Sequence, residues 1–231
     1  MAERIGILQD AAMLMNDRRG EVIEIAQQET GTTREWVLFN VDLALEYLRQ
    51  TSKLADCFQE THPYEGVTLR RRPCGVILGF APWNAPITLA TRAIAGPLAC
   101  GNTVLLKASE LCPLTHTWVA DILKAAGVPQ GALNVIVNDA EQAPEIVEAL
   151  ISHPAVRRIN FTGSTRIGRA IAVVAAHHLK PCLLELSGKG TMIVLADADL
   201  EAAAKAAVFG GYFNQGQICM STERIIVEES V

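Results

Sequence analysis

Five short β-type runs punctuate the middle of the chain: Val76-Ile77-Leu78, Val104-Leu105-Leu106, Val135-Ile136-Val137, Ile159-Asn160-Phe161 and Leu183-Leu184-Glu185-Leu186. Each is separated from the next by roughly one strand plus one helix, and the stretches between them (87–99, 114–126, 143–151 and 165–176) carry helical patterns. Runs that are apolar on both faces fit a parallel sheet covered by helices. Right-handed βαβ connections are then expected. The reading is an α/β chain with helices on both faces of a parallel sheet, and such sheets collect ligands beyond the carboxyl ends of their strands.

The flanks are different in texture. Ile5, Leu8, Ala12 and Met15, then Val22, Ile25 and Ala26, recur at helical spacing, and Gly31 is placed to stop the second helix. Thr32-Thr33 can cap a third helix running through Trp36, Leu43 and Tyr47 to about Ala55. Residues 62–72 read as an extended excursion punctuated by Pro63 and Gly66. After Gly188 a strand at 192–195 and a helix capped by Asp197 or Asp199 and running to Ala207 lead into a polar segment around Cys219.

Half of the 231 residues are hydrophobic, enough for a substantial core. Lys and Arg number 20 against 25 Asp and Glu, and a net charge of −5 argues against a nucleic-acid partner. The basic run Arg70-Arg71-Arg72 reads as a solvated strand edge. Six scattered cysteines (Cys57, Cys74, Cys100, Cys112, Cys182 and Cys219) with no CxxC pair fit reduced thiols in the cytoplasm. His177-His178 near Cys182 is read as the end of a helix, not a metal site. No apolar run is long enough to span a bilayer, so no membrane partner is expected.

Several polar groups stand just after the strand-like runs. Pro82 and Pro86 restrict the backbone around Trp83 and Asn84, although Asn84 alone reads equally as an ordinary turn residue. Lys107 and Glu110 follow the second run, where a cation and a carboxylate three residues apart suit two adjacent sugar hydroxyls or a surface ion pair. Thr162-Gly163-Ser164-Thr165 and Gly168 follow the fourth and open a helix. A phosphate could rest there, although a helix start needs a Ser or Thr cap in any case. Glu185 lies among leucines, where desolvation would raise its pKa and suit it to general-base work. The Gly188-Lys189 pair is not a P-loop, since Leu183 stands where the first glycine is needed. Cys219 follows two glycines and three side-chain amides, a setting for either a packing residue or a reactive thiol.

Taken together, Pro82-Trp83-Asn84, Lys107 with Glu110, 161–165 with Gly168, Glu185-Leu186 before Gly188-Lys189, and 214–219 resemble the aldehyde dehydrogenase superfamily in order and spacing. The ending from Cys219 to Arg224 resembles its vanillin and salicylaldehyde dehydrogenase branch. The resemblance implies a Rossmann-like NAD-binding domain at 1–187, interrupted by a bridging hairpin at about 58–73, and the start of a second α/β catalytic domain at 188–231. It implies that Cys219 attacks an aromatic aldehyde and that Asn84 and the Cys219 N–H hold the oxyanion. Hydride transfer then leaves a thioester, which water activated by Glu185 hydrolyses to the acid. Lys107 and Glu110 would bind the adenosine ribose, favouring NAD over NADP, while Trp83, Gly163, Ser164 and Gly168 would serve the rest of the cofactor.

Ser187, Ala108 and Gly190 depart from residues common in the family, and none removes a catalytic group. Family members are about twice as long, and the Glu-x-Phe-Gly-Pro segment that grips the nicotinamide ribose is absent from these residues. Two readings follow: a piece of an NAD-dependent aldehyde dehydrogenase whose full-length form is a homo-oligomer, or a short, non-catalytic nucleotide-binding or interaction protein. Weak or no turnover by these residues alone and exposed apolar surface are expected from the first.

Overall fold

Three helices open the chain for reasons visible in their faces and caps. The computed structural model describes residues 2–53 and 60–231. Helix α1 (Ala2–Asp17) buries Leu8, Ala11, Ala12 and Met15, and α2 (Glu21–Thr30) buries Val22, Ile23 and Ala26. Gly31 ends α2 in the left-handed conformation, its N–H returning to the Gln27 carbonyl. Thr33 caps α3 (Arg34–Ser52) by accepting from the Trp36 N–H at 3.2 Å. The expected helix end near Ala55, Cys57 and the first residues of the hairpin fall at 54–59, outside the described residues. The excursion is an exposed antiparallel pair, β1 (Thr61–Tyr64) and β2 (Val67–Leu69), with Arg70 paired to Glu60 beyond it.

The five-run rhythm resolves into β3 (Val76–Phe80), β4 (Thr103–Lys107), β5 (Leu133–Ile136), β6 (Val156–Thr162) and β7 (Cys182–Glu185). All pair in parallel in the order β5-β4-β3-β6-β7. The chain thus builds outward from β3 to β5, then crosses back to the other side of β3 for β6 and β7. That reversal at β3 is the topological switch point where ligands of such sheets bind. Helices α4 (Pro86–Ala99) and α5 (Pro113–Ala125) pack on each other and on β3, β4 and β5. Helices α6 (Ala143–Ser152) and α7 (Thr165–His177) pack on each other and on β6. Leu78, Leu106, Ile122, Leu123, Ile151 and Ile159 are fully buried, each worth about 1.5–3 kcal/mol relative to exposure. Strand β5 begins earlier than its apolar run and leaves Val137 outside.

Long-range polar contacts finish what local sequence leaves open. Helix α5 begins after Cys112 with no side-chain cap of its own, and Pro113 supplies no N–H. The Glu29 carboxylate of α2 fills the gap, accepting from Leu114 N–H (2.7 Å), Thr115 N–H (2.9 Å) and the Thr115 hydroxyl (2.6 Å). At the other end of the sheet Lys180 donates to the Ile151 carbonyl and, at 2.6 Å, to that of His153, closing the last turn of α6.

Two compact units divide the chain, Met1–Glu185 and Leu186–Val231. The second is a βαβ unit: β8 (Gly190–Val194), α8 (Leu200–Tyr212) and β9 (Thr222–Val227), with β8 and β9 parallel. Asp199, of the two expected caps, is the one used, accepting from the Ala202 N–H at 3.0 Å. The helix continues past Ala207 to Tyr212, and β9 was not expected from the sequence. Large apolar side chains are exposed in this unit, among them Phe209 and Tyr212.

Candidate active site

A cleft of about 840 Å³ opens at the carboxyl ends of β3, β4 and β6 in the first unit. That volume lies within the ~300–1,000 Å³ of small-ligand pockets. Parallel register places Phe80 level with Lys107 on one side and Phe161 on the other, so the residues after all three strands converge on it. Trp83, Lys107, Glu110, Gly163 and Ser164 all line the cleft, so five of the six expected cofactor residues come together. The sixth, Gly168, is buried within α7.

Lys107 ends β4 nearly buried, its ammonium paired with the Glu110 carboxylate across the turn. The pair is therefore no surface salt bridge. Burial pushes the Glu110 carboxyl up, but the Lys107 ammonium, its own backbone N–H and the Asn138 amide together outweigh it, so the group sits below its ordinary value. Asn138 donates to the Asp139 carbonyl at 2.8 Å and reaches Glu110 at 3.5 Å, while its Oδ1 is buried with no hydrogen-bond partner in the described structure. A carboxylate and an ammonium on one rim suit a sugar diol. The N-terminus of α7 forms another rim, with Ser164 accepting from the Ile167 N–H at 3.4 Å and Arg166 alongside. Pro144, Val147, Ile167, Ile171 and Val174 supply an apolar wall suited to a flat base. These residues fit a dinucleotide.

Gly163 owes its lack of a side chain to the protein itself, because a Cβ there would lie 2.6 Å from the Phe161 ring. The turn holding Asn84 is anchored by the Trp36 indole, which donates to the Asn84 carbonyl at 2.7 Å. The sequence placed Trp36 in a helix but not against Asn84, as nothing local links positions 48 residues apart. Glu185 corrects an expectation. Its side chain is 52 % exposed and lies 3.9 Å from the Arg92 guanidinium, so it is not the desolvated carboxylate its leucine neighbours suggested. In a parallel edge strand alternate residues face opposite ways, and Glu185 takes the open one.

Cys219 belongs to the second unit, where it is exposed. The segment before it leaves α8 through a tight turn at Phe213–Gly216 in which Asn214 (φ 48°) and Gln215 (φ 56°) are both left-handed. That conformation costs a side-chain-bearing residue about 1–2 kcal/mol, and such strain gathers at functional segments. Asn214 is buried and its carbonyl accepts from the Gln217 N–H at 3.0 Å. Ser221, also buried, holds the far side through its hydroxyl to the Gly216 carbonyl at 3.1 Å. A Cβ at Gly190 would stand 2.4 Å from the Ser221 carbonyl oxygen, so this close approach accounts for the glycine. The Lys189–Glu223 ion pair joins the same two strands.

The aldehyde dehydrogenase family model matches residues 1–231. The chain belongs to the aldehyde dehydrogenase family. It is 54% identical to a vanillin dehydrogenase from Pseudomonas fluorescens, over 99% of this chain and 48% of that protein. The crystal structure of a salicylaldehyde dehydrogenase from Pseudomonas putida G7 superposes with a TM-score of 0.95 at 47% identity, covering 99% of this chain and 48% of that one. An NAD-dependent benzaldehyde dehydrogenase from Corynebacterium glutamicum matches at TM-score 0.92 and 34% identity, over 100% of this chain and 51% of that one. The motifs that resembled aldehyde dehydrogenases thus sit on an aldehyde dehydrogenase fold. The chain spans about half the length of the relatives it matches.

Proposed function

We propose that this chain carries the dinucleotide cleft and the nucleophile of an NAD-dependent aldehyde dehydrogenase acting on aromatic aldehydes. The observation that carries the reading is the cleft at the switch point, with the buried Lys107 paired to a half-buried Glu110 on one rim and the Ser164-capped start of α7 on another. Residues 1–187 are assigned to cofactor binding and 188–231 to the start of the catalytic domain. The aromatic substrate class is supported by relatives named for vanillin, salicylaldehyde and benzaldehyde. NAD in preference to NADP is supported by the Glu110 carboxylate, which would repel a phosphate on the ribose it binds. No helix among the described residues is long and apolar enough to cross a membrane. Cytoplasmic location and pairing of subunits through the β1–β2 hairpin complete the proposal.

Each residue then has a task. The Cys219 thiolate adds to the aldehyde carbon, and the oxygen that takes up the negative charge is held by donors assigned to the Asn84 side chain and the Cys219 N–H. A bound nicotinamide supplies the acceptor for the hydride of the oxidation. The acyl group left on Sγ is released when Glu185 takes a proton from the attacking water, giving a carboxylic acid and the free thiol.

Mixing the chain with NAD+ and salicylaldehyde or vanillin, and following NADH absorbance, tests the thiol assignment. At most weak aldehyde-dependent NADH formation by these residues alone, lost in Cys219→Ala, is the expected result. Turnover that survives the substitution would overturn the role of Cys219, and robust turnover by these residues alone would overturn the expectation of weak activity.

A further inference from the structure

Trp36, Asn40, Ala44 and Leu48 recur every four residues along one buried stripe of α3, and Asn40 is the amide in it. Helix α4 packs on α3, and an apolar side chain would serve that packing. A buried amide is costly unless its polar atoms find partners. Those of Asn40 do. Its Nδ2 donates to the Trp36 carbonyl at 3.0 Å, its Oδ1 accepts from the Thr88 hydroxyl at 3.1 Å, and its own carbonyl accepts from the same hydroxyl at 2.9 Å. A hydroxyl has one proton, so the two Thr88 contacts share it, and the amide orientation that serves Trp36 leaves Oδ1 as the acceptor Thr88 needs.

These bonds converge on the turn between β3 and α4. Trp36 donates from its indole to the Asn84 carbonyl at 2.7 Å, two residues before α4 begins, and Thr88 lies in the first turn of that helix. The start of α4 has little local support: Ala85 at its N-cap brings no side-chain hydrogen bond, and Pro86 has no N–H. Helix α3 therefore grips this turn on both sides, through the indole ahead of α4 and through the Asn40 amide just inside it.

We propose that Asn40 and Thr88 are positioning residues for Asn84: their hydrogen bonds lock α3 against the start of α4, keep the Trp36 indole on the Asn84 carbonyl, and so fix the backbone from which the oxyanion-holding side chain projects. The proposal rests on the role assigned to Asn84 above. It separates from a packing role by conservative substitution. Thr88→Val keeps the shape and loses the hydroxyl, whereas Thr88→Ser keeps the hydroxyl and loses the methyl group. Asn40→Leu fills the stripe without either polar contact.

Hydrogen exchange of the Trp36 indole N–H, followed by NMR, reads the tie with or without turnover. The Trp118 indole, which donates to Glu21 at 3.1 Å, serves as the reference within the same chain. Thr88→Val and Asn40→Leu are expected to speed exchange at Trp36 by about tenfold or more relative to Trp118, and Thr88→Ser to stay within about threefold of wild type, as the loss or retention of a buried hydrogen bond requires. A harmless Thr88→Val beside a damaging Thr88→Ser, unchanged exchange in Asn40→Leu, or equal acceleration at both indoles would overturn the tie. NADH formation from salicylaldehyde tests what the tie is for. Asn84→Ala should lower the initial rate at least about tenfold with NAD+ binding unchanged, and Thr88→Val should lower it in part. Loosened exchange with an undiminished rate in Thr88→Val, beside a damaged Asn84→Ala, would overturn the positioning role. An undiminished rate in Asn84→Ala beside loosened exchange in Thr88→Val would uphold the tie and overturn the oxyanion reading.

Discussion

At His116 the folded state holds an imidazole neutral that an unfolded chain would protonate. Burial opposes the charged form most, Lys107 from β4 adds a like charge and the Ser109 N–H needs an acceptor, which together outweigh the favourable influence of the Pro82 carbonyl. Glu110 turns its charge to Lys107, and Glu29 of α2 to the start of α5. Because the folded pKa is depressed, the stabilising contribution is complete above about pH 6.5 and is lost as pH falls toward about 4. The gap corresponds to ~3 kcal/mol. Urea melts across this window should show wild type losing more stability than His116→Gln by an amount of that order, and parallel curves would contradict the assignment. None of this was visible from position 116 alone. Lys107 and Glu110 could be paired on paper because they lie three positions apart, whereas Ser109 meets His116 only once the turn after β4 is packed against α5.

Helix α5 shows how an element can depend on a residue far from it in sequence. Its local start signals are a cysteine and a proline, and the capping carboxylate comes from Glu29. Glu29→Ala should cost about 1–2 kcal/mol, the usual range for a lost cap. The test is a lowered urea midpoint at unchanged slope, and a midpoint within error of wild type would contradict it. The same contrast separates what the sequence made legible from what it did not. Helices α1 to α7 and strands β3 to β7 were readable because amphipathic period and apolar runs are local properties. Helix α8 runs past its expected end at Ala207 because Gly210 and Gly211 continue it to Tyr212, toward the cysteine turn. Strand β9 was missed because Thr222-Glu223-Arg224 hides its polar first half, and its pairing with β8 is a tertiary fact.

For the whole molecule, strand order explains why residues from 82 to 164 share one cleft. Reversal at β3 brings the ends of β3, β4 and β6 together, and each contributes polar groups that mean little separately. The residues that line the cleft were therefore legible in the motifs, while the exposure of Glu185 depended on which way an edge strand faces. That the cleft takes an NAD-type dinucleotide through the Lys107–Glu110 pair is tested most directly by titration calorimetry of the chain with NAD+ and NADP+, comparing wild type with Lys107→Met and Glu110→Gln. Saturable one-site binding that prefers NAD+ and is weakened about tenfold or more by either substitution is the predicted result. Absence of NAD+ binding, or binding indifferent to both substitutions, would contradict it.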